Sequence, residues 1–212
     1  MKILLPFKSP FSISVSGTTG AGKTTWIYKL LRNKDNMIEP PPTNVLYCYG
    51  IWQDLYAEME ETLSYVSFHE GLPTLESVKK LPAHSLIVLD DLAHLIYTNK
   101  EMELLFSQVS HHRKISVCHI KNNLFYQGKH ARTISLNTHL YILLSNPRDE
   151  SQILTFGRQI YPSKPLCLLE AYRDCMSTTG YLLLDLQPHT DPKYRMRSRI
   201  FPGEDPIIFI PT

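Results

Sequence analysis

The residues Gly17-Thr18-Thr19-Gly20-Ala21-Gly22-Lys23-Thr24, followed by Thr25, carry the spacing G-x-x-x-x-G-K-[ST] of a Walker A loop. Glycines let the backbone N–H groups of such a loop converge on one point, and the helix that follows adds its positive end. The product is a cradle for a triphosphate. Lys23 is expected to reach the β- and γ-phosphates, and Thr24 to offer a hydroxyl to Mg²⁺. Residues Gly17 to Thr25 are the nucleotide-binding candidates.

A phosphate-transfer site also needs a carboxylate, and "LIVLDD" supplies Asp90 and Asp91 after four apolar residues. Asp90 is expected to hold Mg²⁺ through water, and Asp91 to accept the proton of an attacking water. Two adjacent acids favour hydrolysis over binding alone, although Asp91 is shorter than the glutamate common at such positions. The same pair can instead cap a following helix, where aspartate is favoured. Within "SHHRKISVCHIKNNLFYQGK", Arg113 precedes a β-type run, from where a guanidinium can reach a neighbouring subunit's γ-phosphate. A surface arginine lying over the sheet fits the spacing equally well. Asn122 and Asn123 follow that run; an amide there can sense the γ-phosphate or orient water, or merely make a turn. His111, His112 and His119 lack metal-site spacing, and no metal is assigned to them.

These residues need buried strands to hold them. Apolar runs at 11–16, 45–49, 85–90, 115–120, 140–145 and 181–186 read as strands, several apolar throughout, as in a sheet covered by helices on both faces. Helices are expected over 23–33, 101–111, 149–160 and 164–176. The second of these places Met102, Leu105, Phe106 and Val109 on one face. The pattern is an α/β sandwich with a mostly parallel sheet, with no repeat and no linker. The expectation is one domain over 1–212, with a core at about 11–186 and a basic strand and tail at 187–212.

The chain has 212 residues, a net charge of +2 and 43% hydrophobic residues, so any nucleic-acid contact must come from a local basic patch. One candidate patch is Arg195, Arg197 and Arg199, which alternate along the tail; a strand would set all three on one face, either solvated or touching DNA or a neighbouring subunit. Another is the stretch Lys121 to Arg132, with Lys121, Lys129 and Arg132 beside Phe125 and Tyr126. Cys48, Cys118, Cys167 and Cys175 are scattered and read as free thiols in a reducing compartment. Pro6 and Pro10 interrupt the N-terminal apolar stretch, so no secretion signal is expected. No apolar run reaches the ~20 residues that span a bilayer.

The blocks "VSGTTGAGKTTW", "LIVLDDL", "SHHRKISVCHIKNNLFYQGKHARTISLNTHLYILLSNPRDESQI", "GYLLLDL" and "RMRSRIFPGEDPIIF" carry a resemblance. The chain resembles the genome-packaging ATPases of Maverick/Polinton elements and adintoviruses, which are similar to poxvirus-type packaging ATPases of the FtsK/HerA superfamily. The resemblance runs from about residue 12 to the C-terminus, and the block from Ser110 to Ile153 discriminates most. It implies a P-loop NTPase of the additional-strand, RecA-like type, a three-layer sandwich with a mostly parallel central sheet. It also implies a ring of five or six subunits that uses ATP and Mg²⁺ to move double-stranded DNA into a capsid of partner proteins. Localisation would then be intracellular, in the host nucleus or cytoplasm or with the virion.

Carried onto this chain, the resemblance implies Lys23 and Thr24 at phosphate and Mg²⁺, Asp90 as the Walker B acid and Asp91 as the catalytic carboxylate. It further implies Arg113 as the finger. Relatives place Gln where this chain has Asn122, one methylene shorter. Arg132 and Arg148 lie in shared blocks without an assigned role. Two other readings stay open on the residues alone, a nucleotide-binding scaffold or switch without turnover and a small-molecule kinase.

Overall fold

The structure is a computed structural model that describes residues 5–148 and 150–211. Eleven strands are formed among them: β1 (Phe7–Lys8), β2 (Ser12–Ser16), β3 (Ile38–Glu39), β4 (Val45–Tyr49), β5 (Val66–Glu70), β6 (Leu86–Asp90), β7 (Ser116–Lys121), β8 (Leu140–Leu144), β9 (Tyr181–Asp185), β10 (Met196–Ser198) and β11 (Ile207–Phe209). Nine of them make one sheet in the order β5-β4-β6-β7-β2-β8-β9-β10-β11, while β1 and β3 pair separately. From β5 to β8 every neighbouring pair is parallel, and β9, β10 and β11 extend the sheet in antiparallel steps.

The sheet lies between two apolar layers; β6 and β8 are apolar on both faces, while β2 turns Ile13 and Val15 one way and the buried Ser12, Ser14 and Ser16 the other. On one face Ile13, Val15, Val45, Leu86 and Val88 pack with Trp26, Ile27, Leu30 and Leu31 of the helix Lys23–Arg32. On the other, Ile87, Leu89 and Val117 pack with Met102, Leu105 and Phe106, while Tyr141, Leu143, Leu182 and Leu184 meet the helices Glu150–Ile160 and Leu166–Thr178. The expected three-layer α/β sandwich with a mostly parallel sheet is what forms. β7 stands between the glycine-loop strand β2 and the acid-bearing strand β6, which is the additional-strand arrangement.

Some local expectations change. The helix expected over 101–111 is interrupted by a π-turn at Leu105–Val109 between Lys100–Leu104 and Ser110–Arg113. The extra residue per turn rotates the apolar face. Met102, Leu105 and Phe106 are buried as expected, but Ser110 takes the next inward place and Val109 is only half-buried. β5 and β11 were not expected as strands, and the strand expected in the basic tail is only the short β10. The alternating arginines do not form a stripe. β10 is only three residues long, Arg195 lies before it in helical conformation and Arg199 lies after it at φ 53°. Arg197, 4% exposed, turns inward to Asp185 at 2.8 Å, so it is neither solvated nor free to meet DNA. Cys48, Cys118 and Cys175 are buried, Cys167 is half-buried, and all four are free thiols.

Candidate nucleotide site

Parallel strands end on one side of a sheet, and ligands in open α/β folds collect there. β2 ends in the glycine loop, β7 in Asn122, β6 in Asp90 and Asp91, and β4 in Gly50. The register places Ser16 opposite Lys121 and Tyr49 opposite Asp90, so these endings share one edge.

The loop is tied at its start by Gly17 N–H to the Lys121 carbonyl (3.4 Å) and by Thr18 N–H to the Ser145 carbonyl (3.0 Å). Gly17 must be glycine because a Cβ there would meet Leu144 Cβ at 2.9 Å. Gly20 and Gly22 then turn the chain at φ 79° and 86°, conformations that side chains other than glycine's adopt at a cost. Trp26 N–H makes the first helical bond, to Gly22. The amides of Lys23, Thr24 and Thr25 therefore precede the first intrahelical bond and are available to an anion. Lys23 Nζ folds over the loop and donates to the carbonyls of Gly17 (2.9 Å) and Thr18 (2.8 Å). Burial lowers its pKa, against the opposing pull of Asp90 and Asp91.

Asp90 is 3% exposed, and its Oδ2 accepts three hydrogen bonds. Thr24 Oγ1 donates at 3.1 Å, Tyr47 Oη at 2.8 Å and Tyr56 Oη at 2.9 Å. Burial raises the Asp90 pKa despite these three donors. It raises Tyr47 and Tyr56 as well, with Asp90 adding to it, so both phenols stay protonated and act as donors. Sequence reasoning missed the two tyrosines. The signal was available, since a tyrosine inside an apolar strand such as "VLYCY" must find a partner for its hydroxyl. A hydroxyl and a carboxylate fixed 3.1 Å apart beside a phosphate cradle are the hard oxygen donors that Mg²⁺ takes.

Asp91 follows at φ 58° and is exposed, with its carboxylate side chain beyond the strand end. Gly50 lets β4 pass close to this turn; a Cβ on it would sit 2.9 Å from the Asp91 carbonyl oxygen. A cavity of about 90 Å³ joins Asp90, Asp91, His94, Asn122 and Tyr126. Asn122 is exposed and also lines a cavity of about 730 Å³ with Thr18, Thr19, Asn123, Asn146 and Arg148. The structure thus brings Lys23, Thr24, Asp90, Asp91 and Asn122 to one edge. It also sets Arg148 at the rim of the glycine loop, a position that spacing alone did not indicate.

Arg113 is elsewhere. It ends the helix Ser110–Arg113, is exposed, and donates from Nη2 to the Lys79 carbonyl. It precedes β7, whose other end lies at the glycine loop, so about 20 Å of strand separates it from its own phosphate cradle, at ~3.3 Å per residue. Lys121, expected in a basic DNA-facing stretch, does not present its charge on the open surface. It is 5% exposed, and its Nζ donates to the Leu124 carbonyl at 2.6 Å. Lys129 and Arg132 are exposed. His119 is buried between Tyr97 and Phe106, while His111 and His112 are exposed. Among the described residues no cluster of three His, Cys, Asp or Glu could hold a metal ion, and no helix is long and apolar enough to cross a membrane.

No family model matches the chain, and no curated protein sequence does. Solved structures do. The genome packaging NTPase B204 from Sulfolobus turreted icosahedral virus 2, in complex with ATP-gammaS, superposes with a TM-score of 0.57 at 9% identity, covering 95% of this chain and 98% of that one. The AMPPCP complex of the same protein gives 0.57 at 10% identity, covering 96% and 98%. B204 from Sulfolobus Turreted Icosahedral Virus, described as a DNA-packaging ATPase, gives 0.56 at 10% identity, covering 96% and 99%. At such identities the likeness is one of fold, and it extends along nearly the whole of each chain.

Proposed function

We propose that the chain is an ATP-hydrolysing motor subunit that packages double-stranded DNA of a viral or virus-like transposon genome, of the Maverick/Polinton kind that its sequence blocks resemble. The observation that carries the proposal is the hydrogen bond of 3.1 Å from Thr24 to Asp90, made across the inserted strand β7. It joins a phosphate cradle to a buried acid, on a fold like that of B204, which has been seen with ATP analogues and is described as a genome packaging NTPase.

Each residue has a distinct part. The amides after Gly22 hold the β-phosphate, and Lys23 exchanges its two loop carbonyls for β- and γ-phosphate oxygens. Thr24 and Asp90 would hold Mg²⁺, which would supply positive charge to offset that of the phosphate oxygens. Tyr47 and Tyr56 fix the Asp90 carboxylate so that no reorganisation is needed at the reacting centre. Asp91, exposed at its turn, accepts the proton of the attacking water, and Asn122 orients that water or contacts the γ-phosphate. Arg113, too far from its own cradle, serves the next subunit in a ring, where it stabilises charge on the transferring phosphoryl group. The whole chain works as one ATPase unit in the host cell, beside capsid proteins.

The test is phosphate release from ATP by Asp91→Asn and Arg113→Ala, alone and mixed. Each variant alone is expected to bind a slowly hydrolysed analogue and to release phosphate about 100-fold more slowly than the parent. Mixing the two should restore measurable release, because some interfaces then pair an intact Asp91 with an intact Arg113. Parental release by Asp91→Asn would instead favour a binding scaffold. Phosphate transferred to a small hydroxyl acceptor faster than to water would favour a kinase.

A further inference from the structure

Lys121 is a cost to the fold that the nucleotide site does not explain. It carries an ammonium with three donors, of which the Leu124 carbonyl takes one. The Tyr97 ring lies 5.9 Å from Nζ, and no carboxylate among the described residues is in ion-pair range. An isolated buried cation is expensive unless something compensates it.

Its surroundings show what would. Lys121 is on the sheet face opposite the helix Lys23–Arg32, and it lines a cavity of about 540 Å³. The walls include Tyr97 and Tyr126, stacked at 5.0 Å and 18°, with Phe125, Gln127 and Gln159 around them and the exposed Arg132 at the rim. No carboxylate is among the lining residues. Gly128 keeps the loop tight to this wall, since a Cβ there would fall 2.6 Å from the Tyr97 carbonyl oxygen.

We propose that this cavity is a second anion site, separate from the glycine loop, which takes the phosphate of a nucleotide between Lys121 and Arg132. A protein carboxylate would answer the charge, but it would leave the aromatic wall and the two glutamine amides without a partner. A nucleotide uses all three, because bases stack on aromatic rings and hydrogen-bond through amides. The site also has a route to the reacting centre. Lys121 and Tyr126 line the small cavity that holds Asp90 and Asp91 as well, and Asn122 is the next residue in the chain. Only the choice of DNA as the phosphate's source rests on the packaging reading.

The experiment disables the glycine loop with Lys23→Ala and titrates a short duplex and deoxyadenosine monophosphate separately. Lys121→Met and Arg132→Gln are then added in turn, with the thermal midpoint of each recorded. The site predicts that at least one ligand binds the Lys23→Ala protein, weakens as salt rises, and binds at least tenfold more weakly after Lys121→Met. A loss confined to the duplex assigns the phosphate to DNA; a loss for the mononucleotide assigns it to a free nucleotide. If Lys121→Met does not fold, Arg132→Gln, at an exposed position, decides by the same criterion. A folded variant that binds both ligands within twofold of its parent overturns the site, as does a parent that binds neither. Because hydrolysis is absent from these titrations, failure here leaves the ATPase reading to its own test.

Discussion

Two buried residues at the candidate nucleotide site are held by opposite means. Asp90 is buried but surrounded by donors, and Tyr47 and Tyr56 supply two of the three. A hydrogen bond to a charged group contributes about 1.5–3 kcal/mol, so Tyr47→Phe and Tyr56→Phe should each lower stability by about that amount and slow hydrolysis about tenfold or more. Denaturant titration and steady-state phosphate release measure both effects, and parental turnover in the double variant would contradict Asp90 as the oriented acid. Lys121 is buried without such help, and burial pushes its pKa down from 10.5 to about 7. Between those values the unfolded chain holds the proton and the folded chain does not, so this group makes stability rise with pH from about 7 toward 10. Lys121→Met removes that rise. Unfolding free energies at pH 7 and pH 9 should differ less in Lys121→Met than in the parent, and an unchanged difference would contradict the lowering of the Lys121 pKa by burial.

Elements that repeat one pattern were legible in the sequence, and elements that depend on distant partners were not. The runs that became β4, β6, β8 and β9 announce themselves, because strands buried on both faces hold mostly apolar residues, and β2 and β7 keep enough of that pattern to be read despite buried Ser12, Ser14, Ser16, His119 and Lys121. The glycine loop was equally plain, since its spacing encodes its own turn. A strand in the basic tail was legible, but the burial of Arg197 in β10 was not, because it depends on Asp185, twelve residues upstream, which turns Arg197 from a surface charge into a buried partner. The π-turn at Leu105–Val109 was hidden for a similar reason, as helical spacing is silent on an extra residue that only packing reveals. Tyr56 and Tyr47 belong to different elements and meet only at Asp90. The Arg197–Asp185 pair makes an element-scale prediction. Arg197→Met leaves a buried carboxylate unpaired and should cost about 3–5 kcal/mol, while Arg197→Met with Asp185→Asn should recover most of the loss. Thermal or urea unfolding of the two variants checks this, and equal losses would contradict it.

At the scale of the whole molecule, the sheet separates two tasks. Its C-terminal strand ends collect the glycine loop, Asp90, Asp91 and Asn122, while Arg113 waits at the opposite ends, about 20 Å away along β7. On the packaging reading proposed above, one copy would hold half of a catalytic arrangement, and a head-to-tail ring would supply the other half. The net charge of +2 gives no general attraction to DNA, so on the packaging reading any contact would be local, at exposed cations such as Lys129 and Arg132 and the cavity behind them. The measurement that tests the central claim most directly is the rate of ATP hydrolysis with and without duplex DNA over a range of salt. The account predicts stimulation by DNA that fades steeply as salt displaces the phosphate contacts. A rate indifferent to DNA at every salt concentration would contradict it.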